Sequence, residues 1–150
     1  MIAVLQRVKS AAVIADGTES GRIGEGLYIL LGVMAGDTEN DAMLLSEKIS
    51  KLRIFTDGAG KMNLSVSDIG GEALVVSNFT LAANYAKGNR PDYLQAEAPK
   101  RANELYEHFV SLLGNKISHV GTGVFGADMQ THMVTDGPVT IVMNSEVLRK

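Results

Sequence analysis

Cysteine is absent from the 150 residues, and that omission removes disulfides, thiolate nucleophiles and zinc-thiolate sites together. Histidine is scarce. His108, His119 and His132 are the only three, and none stands in a helical metal-ligand motif such as HExxH. No resident metal and no cofactor is therefore expected. No apolar run approaches the roughly 20 residues that span a bilayer. Met1 to Val8 also lacks the basic start and apolar stretch of a secretory signal, so a cytoplasmic protein without membrane contact is expected. Excess positive charge is missing too. With a net charge of −3 and a pI of about 5.6, the chain has no broad basic surface for nucleic acid. Any RNA has to be held locally, and DNA is not an expected partner.

What is present suits one globular unit. Hydrophobic residues make up 45% and charged residues 21%, near the averages for folded domains, and the length fits a single core over residues 1–150. The first third reads as strands, Ile2 to Val8 and Ala11 to Ala15, then a turn at Asp16-Gly17 and an apolar run from Leu27 to Val33. Asp37 or Thr38 can cap a helix in which Ala42, Leu45, Ile49 and Leu52 recur at three- and four-residue steps. Gly58 and Gly60 mark a turn before a near-continuous apolar strand from Ala73 to Phe79. Pro99 suits the first turn of a second helix whose buried face is Ala102, Leu105, Phe109 and Leu112, stopping at Gly114. The last third returns to strands at Ile117 to Val120, Met129 to Val134 and Val139 to Met143, with Asp136-Gly137-Pro138 between the final two.

Three segments offer chemistry: Ser77-Asn78-Phe79-Thr80-Leu81 at a strand end, the loop Lys87-Gly88-Asn89-Arg90-Pro91, and Thr135-Asp136-Gly137-Pro138-Val139-Thr140. Each has a plain structural reading as well. Polar residues at a strand end often hydrogen-bond the turning backbone, Asp-Gly between strands is an ordinary hairpin signal, and Lys87 with Arg90 would serve as a solvated loop face.

Taken in order, these segments resemble the bacterial D-aminoacyl-tRNA deacylases. The resemblance runs from Val4-Leu5-Gln6-Arg7-Val8 through the three segments above and includes Gly123-Val124-Phe125-Gly126-Ala127-Asp128-Met129. It implies an α/β fold: a single domain of mixed and antiparallel β-sheet forming a barrel-like core with two main helices packed outside, as a homodimer. It also implies an esterase that removes D-amino acids or glycine from charged tRNA, with its sites at the subunit interface. Ser77, Asn78, Phe79 and Thr80 of one protomer would cradle the ester. Gly137 and Pro138 of the other would screen chirality, with a cis bond between them and Arg7 orienting that turn.

By the same resemblance Ala102, Phe125 and Met129 belong to the substrate side, the last two for the terminal adenosine. From the residues alone both also read as core, and for Phe125, between Gly123 and Gly126 in a turn, site and core weigh about the same. Lys87 and Arg90 are the candidate phosphate contacts. Thr80 is not a nucleophile on this reading, since no base accompanies it. The terminal ribose 2′-hydroxyl would assist water, and backbone N–H groups around Asn78, Phe79 and Thr80 would stabilise the oxyanion. The chain departs from the usual Ser-Gln-Phe-Thr and Asn-x-Gly-Pro-x-Thr motifs at Asn78 and Thr135. Thr135 raises a rival reading, a deacylase of relaxed chirality. A second rival is a noncatalytic dimeric nucleic-acid-binding protein of the same fold, against which Ser77, Thr80, Gly137 and Pro138 argue.

Overall fold

A computed structural model describes residues 1–150. Eight strands and two helices follow the chain: β1 (Ile2–Ala15), β2 (Thr18–Ile23), β3 (Gly26–Gly32), α1 (Glu39–Lys51), β4 (Phe55–Thr56), β5 (Met62–Leu64), β6 (Glu72–Ser77), α2 (Pro99–Gly114), β7 (His119–Thr122) and β8 (Met129–Asn144). The main sheet runs β2-β1-β3-β6-β7, with β8 also paired to β1. β1 is antiparallel to β2, β3 and β8, whereas β3, β6 and β7 are mutually parallel. The two ends of this sheet nearly meet. A methyl group on Gly21 of β2 would lie 2.6 Å from the Thr122 carbonyl of β7, so a glycine lets the barrel-like sheet close.

Burial follows the strand alternation on two faces. Leu27, Ile29 and Leu31 of β3, with Ala73 and Val75 of β6, join the large core beneath α1 and α2. Their neighbours Tyr28, Leu74 and Val76 face a smaller cluster with Val8, Ala11 and Val13. β1 and β3 make the expected apolar surface, but β1 is one strand and not two, because its Ile2–Ala15 backbone pairs with β8 nearly throughout. Gly26 sits where β3 and β6 come closest, a Cβ there meeting the Glu72 carbonyl oxygen at 1.9 Å. We expect Gly26→Ala to cost roughly 3 kcal/mol or more through overpacking, read as a lowered Tm in thermal unfolding.

Both helices form where their patterns place them. Thr38, not Asp37, is the N-cap of α1, and Asp41 reaches back to accept the Thr38 N–H at 2.9 Å. Asp37 instead meets the Met1 ammonium at 2.7 Å and Arg149 at 3.0 Å. Glu39 and Asp41 in the first turn and Lys48 and Lys51 in the last complement the helix dipole. In α2, Pro99 opens the helix and Ala102, Leu105 and Phe109 are buried. Leu113, rather than Leu112, completes that face. No helix is long and apolar enough to cross a membrane.

The last third differs from the hairpin expectation. Met129 to Asn144 is one strand on β1, and Asp136-Gly137-Pro138 interrupts its register without reversing the chain. The step from Gln6 to Val8 on β1 faces the longer step from Thr140 to Thr135 on β8. The surplus β8 residues bulge outward as a tip. A two-residue hairpin would have needed partners on both sides of the turn within β8 itself, and β1 supplies them instead.

Candidate active site

The parallel pair β3 and β6 ends side by side at Leu31 and Ser77. Beyond that edge lies a cavity of about 450 Å³. Of the residues singled out in the sequence, Ser77, Asn78, Phe79, Thr80, Ala102, Phe125 and Met129 all line it. Three separate stretches of chain therefore converge there: the β6 end, the start of α2, and the Gly123–Met129 turn leading into β8. Ligand sites at the carboxyl edge of parallel strands follow the same logic in open α/β sheets.

β6 stops at Ser77, and Phe79 begins a short 3₁₀ helix, Phe79–Ala82, rather than prolonging the strand. Asn78 explains the break. Its backbone N–H still bonds the Leu31 carbonyl at 2.8 Å, but its side-chain oxygen accepts the Thr80 N–H at 3.2 Å and the Thr80 hydroxyl as well. This is an N-cap, which competes with strand continuation. It also corrects the expectation of three free backbone donors. Of the N–H groups of Asn78, Phe79 and Thr80, only that of Phe79 has no acceptor in the chain. The Asn78 side-chain nitrogen joins it as an unclaimed donor at the cavity wall. Thr80 donates its hydroxyl proton to Asn78 and has no base beside it.

The remaining wall is aromatic and apolar with a few fixed hydroxyls. Tyr28 meets the Thr131 hydroxyl at 2.9 Å, and Tyr106 donates to the Val75 carbonyl at 2.7 Å. Burial pushes the pKa of both phenols up, with the Thr131 contact opposing it for Tyr28 and the charge of Glu107 adding to it for Tyr106. Both phenols remain neutral at ordinary pH. The Phe125 ring lies 5.9 Å from that of Tyr106 at 54°, so Phe125 is at once packed on the core and exposed to the cavity. Met129 does both on the other side. Tyr28, Thr131, Tyr106 and Glu97 also line the cavity and were not evident from sequence. Tyr28 had one signal, an aromatic hydroxyl inside an otherwise aliphatic strand.

The other sequence candidates lie elsewhere. Gly137 and Pro138 are exposed at the β8 tip and line no part of the cavity of their own chain. The bond between them is cis, as the resemblance implied. Arg7 stands at the base of this tip, its Nε donating to the Asp136 carbonyl at 3.0 Å and its Nη1 to the Ile54 carbonyl at 2.8 Å. The Asp136 carboxylate adds a 3.2 Å ion pair to Arg7 and a 3.5 Å one to Lys9. Lys87 and Arg90 are exposed on the loop that follows the 3₁₀ helix. None of the three histidines lines the cavity, and His132 is an exposed strand residue.

A convergent pocket at the end of a parallel strand pair, lined by amide and hydroxyl groups, is the place in this fold suited to receive a small ligand. Comparison with known proteins narrows this. The family model described as D-Tyr-tRNA(Tyr) deacylase matches residues 4–144, and the chain belongs to that family. It is 52% identical over 148 residues to the D-aminoacyl-tRNA deacylase of Anaeromyxobacter dehalogenans, covering 99% of each chain. To that of Persephonella marina it is 55% identical over 148 residues, covering 99% of this chain and 100% of the other. Among solved structures, the c-Myc DNA unwinding element binding protein superposes with a TM-score of 0.90 at 39% identity, covering 96% of this chain and 98% of that one. A probable eukaryotic D-amino acid tRNA deacylase shares the fold, with a TM-score of 0.82 at 16% identity over 95% of this chain and 97% of the other.

Proposed function

We propose that this protein is a D-aminoacyl-tRNA deacylase, hydrolysing the ester between a D-amino acid, or a glycine mischarged on tRNA(Ala), and the tRNA 3′ end. One observation carries this reading: Ser77 to Thr80 share a single cavity with Ala102, Phe125 and Met129, which suits an acyl group at one end and an unpaired adenosine at the other.

An aminoacyl ester is already reactive, so position and charge stabilisation supply most of the acceleration. The Phe79 N–H and the Asn78 amide nitrogen take the oxyanion. As the family resemblance implies, the neighbouring ribose 2′-hydroxyl of the substrate assists the attacking water; the Tyr28 and Tyr106 phenols of the cavity stay protonated. Thr80 holds Asn78 in place.

Chirality is screened in trans. The exposed Gly137-Pro138 tip does not line its own cavity, and β8 leaves one edge unpaired while exposing Val134 and Val142. A homodimer that covers this edge brings each tip to the partner's cavity. Main-chain carbonyls of the tip then exclude an L side chain and spare a D one, and glycine passes for lack of a side chain. Comparing hydrolysis of D-tyrosyl-, L-tyrosyl- and glycyl-tRNA tests the reading. We expect D over L by at least about a hundredfold, a few kcal/mol of steric exclusion. Equal rates on D and L would establish the relaxed enzyme that Thr135 suggests, and no hydrolysis of any would leave a noncatalytic binding protein.

The RNA backbone is held by Lys87 and Arg90. Replacing both with alanine is expected to flatten the dependence of log K on log salt by about 1.4, two single-strand phosphate contacts. A titration of charged tRNA binding between low and moderate salt measures it. Unchanged affinity and slope would remove both residues from the interface. The substrate and the absence of a membrane-spanning helix fit a cytoplasmic role in translation.

A further inference from the structure

The cavity mouth is flanked by aromatic surface that the hydrolysis chemistry does not use. Phe79 is 60% exposed, Tyr93 37% and Tyr85 78%. The Phe79 and Tyr93 rings meet edge to face at 5.1 Å and 75°. Phe79 also lines the cavity, so this aromatic pair is continuous with the pocket. Tyr85 is tied to the pair through the backbone. Asn84 and Asp92 exchange N–H···O bonds of 2.9 and 3.0 Å; the bridge is antiparallel, so Tyr85 and Tyr93 each stand one residue beyond it, at opposite ends of the same short clamp. Side chains reinforce the clamp: Asn84 donates to the Asp92 carboxylate at 3.1 Å, and the Ala86 N–H donates back to Asn84 at 3.2 Å. The loop between them turns at Gly88, with φ of +69°, and carries Lys87 and Arg90 into solvent.

The exposed aromatic rings are held by a hydrogen-bonded loop that would lose little freedom on binding. Aromatic faces beside two cations, on a chain of net charge −3, match single-stranded nucleic acid, where each base offers a π-face and each phosphate a negative charge. We propose that Tyr85, with the Phe79–Tyr93 pair, forms a stacking subsite for the unpaired nucleotides that immediately precede the terminal adenosine of the charged tRNA. Lys87 and Arg90 neutralise the phosphates between them. The inference rests on the deacylase reading, and it adds a subsite that the ester chemistry does not require.

The test compares two D-tyrosyl esters, one of full tRNA and one of adenosine alone, which lacks the preceding nucleotides. Tyr85→Ala is expected to raise KM for the tRNA ester roughly tenfold, the scale of one lost base stack. Turnover of the adenosine ester should be unchanged, and Tyr85→Phe should behave as wild type on both. Equilibrium binding of a short single-stranded RNA ending in cytidine-cytidine-adenosine, followed by anisotropy, gives the same comparison without turnover. There Tyr85→Ala should weaken binding by a similar factor while Tyr85→Phe does not. An unchanged KM and an unchanged affinity in Tyr85→Ala would overturn the subsite. So would equal losses on both esters, which would mark a general effect on the cavity. If the wild-type protein hydrolyses neither ester, the deacylase reading itself fails, whatever the RNA affinity shows.

Discussion

Asn78→Asp is expected to slow deacylation of D-tyrosyl-tRNA by roughly a thousandfold or more, with KM little changed and the fold intact. The substitution is nearly isosteric, and the side-chain oxygen that accepts the Thr80 N–H at 3.2 Å is retained. The local cap therefore survives, and so does the break that ends β6 at Ser77. What changes is the other arm. A donor at the cavity wall becomes a carboxylate oxygen, facing the place where the proposed oxyanion forms. Removing one oxyanion donor alone costs about a hundredfold to a thousandfold in known hydrolases, and the added repulsion works against the same transition state. Asn78→Gln, which lengthens the side chain but keeps the amide, should retain most of the rate. Single-turnover kinetics, with circular dichroism to verify folding, would measure both. If Asn78→Asp turned over at the wild-type rate, the Phe79 N–H would have to act without this amide.

Gly137→Ala is expected to lower the rate about a hundredfold for a different reason. A Cβ at this position would stand 2.2 Å from the Val139 backbone nitrogen, so the tip must move. Both Gly137 and Pro138 are exposed, and Arg7 anchors the tip from below through the Asp136 carbonyl. Val139, whose Cγ2 would lie 3.2 Å from that Cβ, packs against the large core, so thermal stability should fall modestly as well. A displacement on the order of 1 Å at a positioning element can cost about 10²-fold in rate. The D-to-L ratio should shrink together with the rate, because in the proposed mechanism the same carbonyls exclude the L side chain. Rates on D- and L-tyrosyl-tRNA, measured beside a melting curve, separate this outcome from unfolding. A full-rate, fully selective Gly137→Ala enzyme would take the tip out of the site.

Much of this was legible in the residues. The stripes Ala42-Leu45-Ile49 and Ala102-Leu105-Phe109 are buried as their spacing requires, since a helix that packs on a sheet must hide one face. Pro99 opened α2 where its missing N–H is harmless. The β8 tip was misread as a hairpin because Asp-Gly-Pro looks the same locally whether the chain reverses or bulges. Only the continuous pairing of β1 with both halves of β8 distinguishes the two. Phe79 was misread as strand because it follows an apolar run, while the cap from Asn78 to Thr80 is a three-residue geometry that hydrophobicity does not encode. Within the site, Ser77 to Thr80, Phe125 and Met129 were legible through motif resemblance, and the structure brings them into one cavity. Tyr28 and Thr131 were not. They lie 103 positions apart in the chain and meet only because β3 and β8 both pair with β1.

Mixing two inactive variants is the most direct test of a site built from two copies of the chain. Asn78→Asp damages the cavity and leaves the tip whole, whereas Gly137→Ala damages the tip and leaves the cavity whole. In a mixed dimer one cavity pairs with one intact tip. Co-refolding equal amounts should therefore restore about a quarter of the wild-type sites, half of the dimers being mixed and each holding one good site. Activity no higher than the sum of the two variants, in a sample shown by native mass spectrometry to contain mixed dimers, would contradict a cross-subunit site.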